Sequence, residues 1–229
     1  MTQTPATASA PVRAPRRTQS ERSEAMRKRL LAATLQSLAE DGYTGSTLSS
    51  IVRRAGVSRG AQVHHYPNKQ ALMLDAAADL LRRTYRALGE LMLSIAEEDD
   101  RLRSLVETVW RRLFTSQLHR AYNELLLESQ RDPALAEALQ KLLLRQVEVF
   151  SVAVDHYFVA APGSTVEPTA IFVQLCALMH GFASHAHLLL THEQVPEQLR
   201  AWIEQASTHM HARKGVHSAP PRPPHWDRK

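Results

Sequence analysis

Asp41-Gly42, Gly56 and Pro67 cut the stretch from Arg22 to Leu72 into one long helical segment and two short ones, and this punctuation limits the possible folds more than any other feature. From Arg22 to Glu40, Met26, Leu30, Ala33, Leu35 and Leu38 recur three to four residues apart, which gives a helix one apolar face, and Asp41-Gly42 stops it. Ser46 and Thr47 are good caps for a short second helix through Arg54, with Leu48 and Ile51 inward and Gly56 closing it. Ser58 caps a third helix that can hardly pass His65, because Pro67 disfavours helical geometry at Tyr66. Asn68 then caps a long fourth helix. Two short helices about a tight turn form a helix-turn-helix.

The remaining chain is punctuated in the same way, by the acidic break EEDD at 97–100, by Asp132-Pro133, by Ala161-Pro162-Gly163 and by the stretch from Thr191 to Pro196. Helices are predicted at about 101–117, 118–130, 133–158, 168–190 and 196–211, with no clear alternating strand pattern and no internal repeat. The expected fold is all-α, with about nine helices: a three-helix amino-terminal unit and a larger carboxyl-terminal helical domain. The predicted boundaries are a disordered basic arm at 1–20, a DNA-binding unit at 21–70 and a bridging fourth helix at about 69–96. A larger helical domain follows at 97–211, and a disordered Pro-rich tail at 212–229.

Charge is divided unevenly between these regions. Residues 1–90 hold fourteen Lys and Arg against seven Asp and Glu, whereas the remainder holds fourteen against sixteen. A basic first third suits a polyanionic partner, although a solvated basic face would look the same. No run of eighteen apolar residues occurs, and the amino terminus lacks the apolar stretch of a secretory signal, so a cytoplasmic protein with no membrane partner is expected. Cys176 is the only cysteine, which rules out an intrachain disulfide.

In a helix-turn-helix the second helix enters the major groove, its amino-terminal end favouring phosphate. Ser58 and Arg59 then face DNA, Arg59 able to fork onto guanine and Gln62 to pair with adenine. Gly60 costs roughly 1 kcal/mol relative to alanine inside a helix, a cost that close approach of another surface would offset. The span Arg27–Leu72, with GYTGSTLSSIVRRAGVSRGAQVHHYPNKQAL at its centre, resembles the DNA-binding domain of the TetR/AcrR family of transcriptional regulators. The resemblance implies a phosphate contact from Thr47, base contacts from Arg59 and Gln62, and a phosphate held by Lys69. His64 stands where that family usually has a phosphate-contacting tyrosine, and Tyr66, also expected among the DNA-binding residues, where phenylalanine is common. Adjacent helical residues point about 100° apart, so His64 and His65 do not share a metal; His64 is expected beside phosphate and His65 in a structural role.

In the carboxyl-terminal domain, the helix from Pro168 to Leu190 is apolar nearly all round. Ile171, Leu175, Leu178 and Phe182 form one stripe, and Leu199, Trp202 and Ile203 recur on the last helix. Together they are expected to build a homodimer interface of four helices, although an internal core of one chain would show the same pattern, and the resemblance implies the dimer. Trp110, Phe114, Tyr122, Phe150, Tyr157 and His180 are candidates for an effector pocket, and their apolar character suits a small hydrophobic molecule. The resulting expectation is a ligand-responsive repressor that binds a palindromic operator as a dimer, uses no cofactor or metal, and is not an enzyme. Two rivals are a metal-dependent enzyme using the His180–His192 region and a non-specific architectural DNA binder.

Overall fold

The computed structural model describes residues 18–94, 100–189 and 194–221. Helix α1 (Gln19–Gly45) begins earlier than its apolar periodicity places it. Thr18 and Glu21 form a reciprocal cap, in which the Thr18 hydroxyl accepts from Glu21 N and the Glu21 carboxylate accepts from Thr18 N. The helix proper stops at Gly42, whose φ of 72° lies in the left-handed region. Helix α2 (Leu48–Ala55) is capped by Thr47 and closed by Gly56 at φ 60°. There a side chain would be strained and would also press on Arg29 Nη2, 3.0 Å from where its Cβ would sit.

Helix α3 runs from Arg59 to His65, with Ser58 as its cap and an extended Tyr66 ahead of Pro67. Helix α4 (Lys69–Ser94) starts on Asn68, whose side-chain oxygen accepts from Ala71 N at 2.8 Å. The core beneath these helices centres on Leu30, Leu38, Ile51 and Leu72, each 1 % exposed or less. It does not end at the amino-terminal unit. Ala121 and Leu125 of α6 (Gln117–Ser129), and Leu135 and Leu139 of α7 (Pro133–Tyr157), belong to the same cluster.

A second core joins α4 and α5 (Arg101–Val109) to α7, α8 (Pro168–Leu189) and α9 (Gln194–Ser207) around Leu105, Tyr157, Phe172 and Met179. Among the described residues the fold is therefore all-α with nine α-helices, an amino-terminal helix-turn-helix unit and a carboxyl-terminal helical domain.

Three details depart from the periodicity. The predicted helix 101–117 changes at Trp110 into a π-helical turn, Trp110–Phe114, before a break at Thr115 and Ser116. The last helix ends at Ser207 rather than 211, because Phe158–Ala160 (β1) and Met210–Ala212 (β2) pair as a two-stranded antiparallel ladder with Val159 opposite His211. The start of the Pro-rich tail packs: buried Arg101 donates to Arg213 O at 3.3 Å and Val216 O at 3.1 Å, and Tyr157 Oη donates to Ser218 O at 3.2 Å. A buried guanidinium requires acceptors, and the tail's main chain supplies them. The arm at 1–17 and the tail beyond 221 lie outside the described residues.

Candidate functional site

Helix α3 has two faces. Ser58, Arg59, Gly60, Val63 and His64 are exposed, and the last four fall at helical spacing on one side. Gln62 and Tyr66 are buried at 1 % and 5 % exposure. Ser58 Oγ accepts from Ala61 N at 3.2 Å, and Thr47 Oγ1 accepts from Ser50 N at 3.1 Å, so both hydroxyls fix helix starts at the edge of the exposed face. A Cβ built on Gly60 meets nothing within 4 Å. Nothing inside the chain calls for glycine at that position, so any crowding must come from outside. His64 and His65 meet edge to face with ring centroids 5.5 Å apart, His65 being the more covered of the two.

Three residues read from the sequence as DNA contacts turn inward instead. Gln62 donates its amide to Tyr66 O, and Tyr66 N donates to Gln62 O at 2.7 Å. The last carbonyls of so short a helix lack partners, and Pro67 has no N–H to offer, so the Gln62 amide caps the end from within. The Tyr66 hydroxyl donates to Asp75, which also receives Arg27 in a bidentate pair at 2.6 and 2.8 Å. Burial alone would raise the Asp75 pKa, but hydrogen bonds from Arg27 and Tyr66 prevail and lower it. Lys69 Nζ donates to Tyr43 O at 2.6 Å and lies 4.1 Å from the Tyr43 ring centroid, where burial lowers its pKa. Its ammonium holds the corner between α1 and α2.

Much of the basic charge in this unit works internally in the same way. Arg29 donates to the carbonyls of Ala55 and Gly56 at 2.7 and 2.8 Å, and Arg54 pairs with Glu40 and Asp41. Arg53 and Arg59 remain exposed beside the α2–α3 turn. Sequence reasoning overlooked Val63, which is 55 % exposed at the centre of the α3 face. An apolar side chain left in water there suits contact with a thymine methyl. Its signal in the sequence is the spacing Arg59-Gly60-Val63-His64.

In the carboxyl-terminal domain four of the six pocket candidates come together. His180 of α8 lies among Phe114 and Tyr122, with ring centroids 4.9 Å away, and Trp110 stacks on Phe114 at 6.2 Å. Phe150 and Tyr157 belong elsewhere: Phe150 packs on Phe172 at 5.6 Å, and Tyr157 is fully buried beneath Arg101. The residue missed from sequence is His119 of α6, whose ring lies 5.0 Å from that of His180. Its Nε2 meets Asn123 Nδ2 at 3.1 Å, and the same amide donates to Ser184 Oγ at 3.3 Å.

Burial pushes both imidazoles down to about 4, His180 adding a smaller electrostatic contribution to the shift of His119. Because the folded value lies below the unfolded 6.5, the unfolded chain takes up protons that the folded chain refuses between those values. Stability is therefore expected to fall by about 1–3 kcal/mol from pH 7 to pH 5. Thermal melts of the protein and of a His119→Phe, His180→Phe variant check this, since the variant should lose most of the slope.

The expected dimer residues divide as well. Ile171, Leu175, Leu199 and Ile203 are 2–3 % exposed within a single chain, because α8 and α9 close over the chain's own core. Leu178, Phe182 and Trp202 are partly covered. The outer face of α8 instead presents Val173, Ala177, Gly181, His185 and Leu188, with Val173 at 48 % and Leu188 at 73 %. Near it a cleft of about 370 Å³ runs between Ile171, Gln174, Trp202, Gln205 and His209, away from the aromatic cluster. His185 Nδ1 lies 3.2 Å from Gly181 O on its own helix, while the His187 side chain and His192 lie outside the described residues. Among the described residues no three His, Cys, Asp or Glu side chains converge as metal ligands, and no helix is long and apolar enough to cross a membrane.

Residues 30–76 match the family model described as bacterial regulatory proteins, tetR family. Over 130 residues the chain is 33% identical to the HTH-type transcriptional regulator CymR of Pseudomonas putida, a match covering 57% of this chain and 64% of that protein, just under two thirds of its length. Over 163 residues it is 29% identical to the uncharacterized HTH-type transcriptional regulator Rv2912c of Mycobacterium tuberculosis, covering 71% and 81%. Among solved structures, a TetR-family regulator from Mesorhizobium loti superposes with a TM-score of 0.65 at 14% identity, covering 82% of this chain and 98% of that one. A transcriptional regulator from Saccharomonospora viridis, solved in complex with choline, gives 0.62 at 15% identity, covering 82% and 99%. At such identities the structural likeness is one of fold.

Proposed function

We propose that this chain, whose residues 30–76 match the model of the tetR family of bacterial regulatory proteins, is a cytoplasmic transcriptional repressor of that family that binds a palindromic operator as a homodimer and is released by a small, largely apolar molecule. The observation that carries this reading is the outward face of α3, where Arg59, Gly60, Val63 and His64 stand exposed at helical spacing on a helix capped by Ser58. Arg59 reads a base edge, Val63 meets a thymine methyl, and Thr47, Ser58 and His64 flank phosphates. Gln62, Tyr66 and Lys69 hold that face in place from behind.

One reading helix buries too little surface for tight, specific binding, so two copies are needed, and their separation sets the spacing of the half-sites. The stripe Val173, Ala177, Gly181 and Leu188 on α8 supports pairing, because an exposed apolar face with small residues lets two helices approach closely. The relatives and structural neighbours are transcriptional regulators, which supports regulation rather than catalysis as the role of this chain. That one neighbour was solved with choline supports a small-molecule effector for this chain too.

Duplexes enriched from a random pool test the reading. An inverted repeat bound by two chains is expected, with affinity falling steeply as salt rises because phosphate neutralisation releases counterions. Enrichment of no sequence over the starting pool would identify an architectural binder instead. A single half-site bound by one chain would remove the dimer.

A further inference from the structure

Building on the effector release proposed above, we propose that the effector is a neutral phenol, its ring held by Trp110, Phe114 and Tyr122 and its hydroxyl bonded to Nδ1 of His180. His180 Nδ1 is buried without a hydrogen-bond partner, an arrangement that costs free energy and calls for an explanation. The second imidazole does not supply one, since His119 turns its Nε2 to Asn123, which also reaches Ser184. The open nitrogen therefore sits in a wall of rings, with Phe114, Tyr122 and His119 all within 5.0 Å of its own ring.

A second feature marks the same place. Trp110 and Phe114 lie on the π-helical turn, where an extra residue per turn re-aims side chains; such turns are frequent at functional sites. All five residues of the turn are at least partly exposed, unlike the buried positions Leu105, Val106 and Val109 just before it. The turn is thus the part of the wall that can shift to admit a flat ring.

The nature of the missing group follows from the chemistry of the site. A hydroxyl both donates and accepts, so it satisfies Nδ1 whichever tautomer His180 adopts. A carboxylate is disfavoured, because the rings in contact with His180 include no fixed cation and burial keeps both imidazoles neutral at pH 7. A sugar or nucleotide would bring more polar groups than Nδ1, Asn123 and Ser184 can satisfy.

Titration calorimetry of the DNA-free full chain with para-ethylphenol, ethylbenzene and para-ethylbenzoate tests the assignment. The phenol should bind at least roughly tenfold tighter than either analogue, as one buried hydrogen bond implies. His180→Phe should reduce phenol binding to the level of ethylbenzene. Should that variant fail to melt cooperatively, Tyr122→Leu provides a second lesion in the same wall and should weaken the phenol and ethylbenzene alike. Equal binding of phenol and ethylbenzene, tighter binding of the benzoate, or phenol binding unaltered in the variants would each overturn the proposal. Binding is read without DNA, so the two ideas fail separately. A phenol that binds through His180 but leaves the operator complex intact overturns release, whereas an intact operator complex with no phenol binding overturns only the ligand.

Discussion

Replacing Arg59 by alanine is expected to reduce affinity for the enriched operator by at least about thirtyfold. A guanidinium forked onto a guanine edge contributes about 1–3 kcal/mol of discrimination, and a dimer loses it at both half-sites. Arg59 is exposed and starts α3, so its removal leaves the fold intact and the melting temperature should hold within a degree or two. A base contact and a phosphate contact differ in their salt dependence. Loss of base readout leaves the slope against salt unchanged and relaxes preference at one operator position, whereas loss of phosphate contacts lowers the slope by about one per half-site and weakens all sequences alike. Arg145→Ala, on the exposed face of α7, is the matched control for charge. Gly60→Ala extends the same experiment with an opposite pair of signs. Alanine meets nothing within 4 Å and should stabilise the protein by about 0.5–1 kcal/mol, yet weaken operator binding if the DNA backbone closes on that position. Unchanged operator affinity in both variants would remove the α3 face from DNA recognition.

The positions of the helices were legible because they are set by local chemistry. Gly42 and Gly56 adopt the left-handed conformation that glycine permits, Pro67 holds Tyr66 extended, and Thr47, Ser58, Asn68 and Asp132 each cap the helix that follows. What side chains do across helices was far less legible. Gln62, Tyr66 and Lys69 are polar and lie near a reading helix, features that suit DNA contacts, but their partners are Tyr66 O, Asp75 and Tyr43 O. No periodicity reveals such partners, because Asp75 and Tyr43 are brought in by packing of α4 and α1. The aromatic cluster shows the same limit. Trp110, Phe114, Tyr122 and His180 converge, while Phe150 and Tyr157, equally aromatic and at equally helical spacing, pack instead on Phe172 and beneath Arg101; His119 joins because packing brings α6 to within ring contact of His180 on α8.

Helix α6 connects the two functional regions. His119, Tyr122 and Asn123 face the cluster, and the next residue, Glu124, accepts from Tyr43 N at 2.9 Å and lies 3.1 Å from where a Cβ on Gly42 would sit. The Gly42-Tyr43 corner is thus held on its N–H side by Glu124 of α6 and on its carbonyl side by Lys69 of α4. On the proposed mechanism of release, a ligand that moved α6 by a fraction of an ångström would act directly on the corner that carries α2 and α3. Such a ligand shifts the equilibrium only by the difference in its affinity for the two arrangements, so a ring that fits the cluster equally well in both would bind without releasing DNA.

The largest loss of stability in the amino-terminal unit is expected from Asp75→Ala, at about 2–4 kcal/mol. The carboxylate accepts from the Tyr66 hydroxyl and receives Arg27 in a bidentate pair. Its removal leaves a largely buried hydroxyl without an acceptor, which costs about 1–3 kcal/mol. The ion pair adds less, because Arg27 is 47 % exposed and can return to water. Tyr66→Phe should therefore cost less than Asp75→Ala, and in the Asp75→Ala background it should recover part of the loss by deleting the orphaned hydroxyl, a coupling that a double-mutant cycle reads directly. The pH dependence follows from the lowered pKa of Asp75. A carboxylate more acidic in the folded chain contributes its full stabilisation above the unfolded value, and loses it as pH falls through the folded one. The gap between wild type and Asp75→Ala should hence be constant from pH 7 to pH 5 and narrow only in stronger acid. Because Tyr66 ends α3, the same substitution should also weaken operator binding at temperatures where the variant is still folded, and additive behaviour with Tyr66→Phe would rule out this anchoring role.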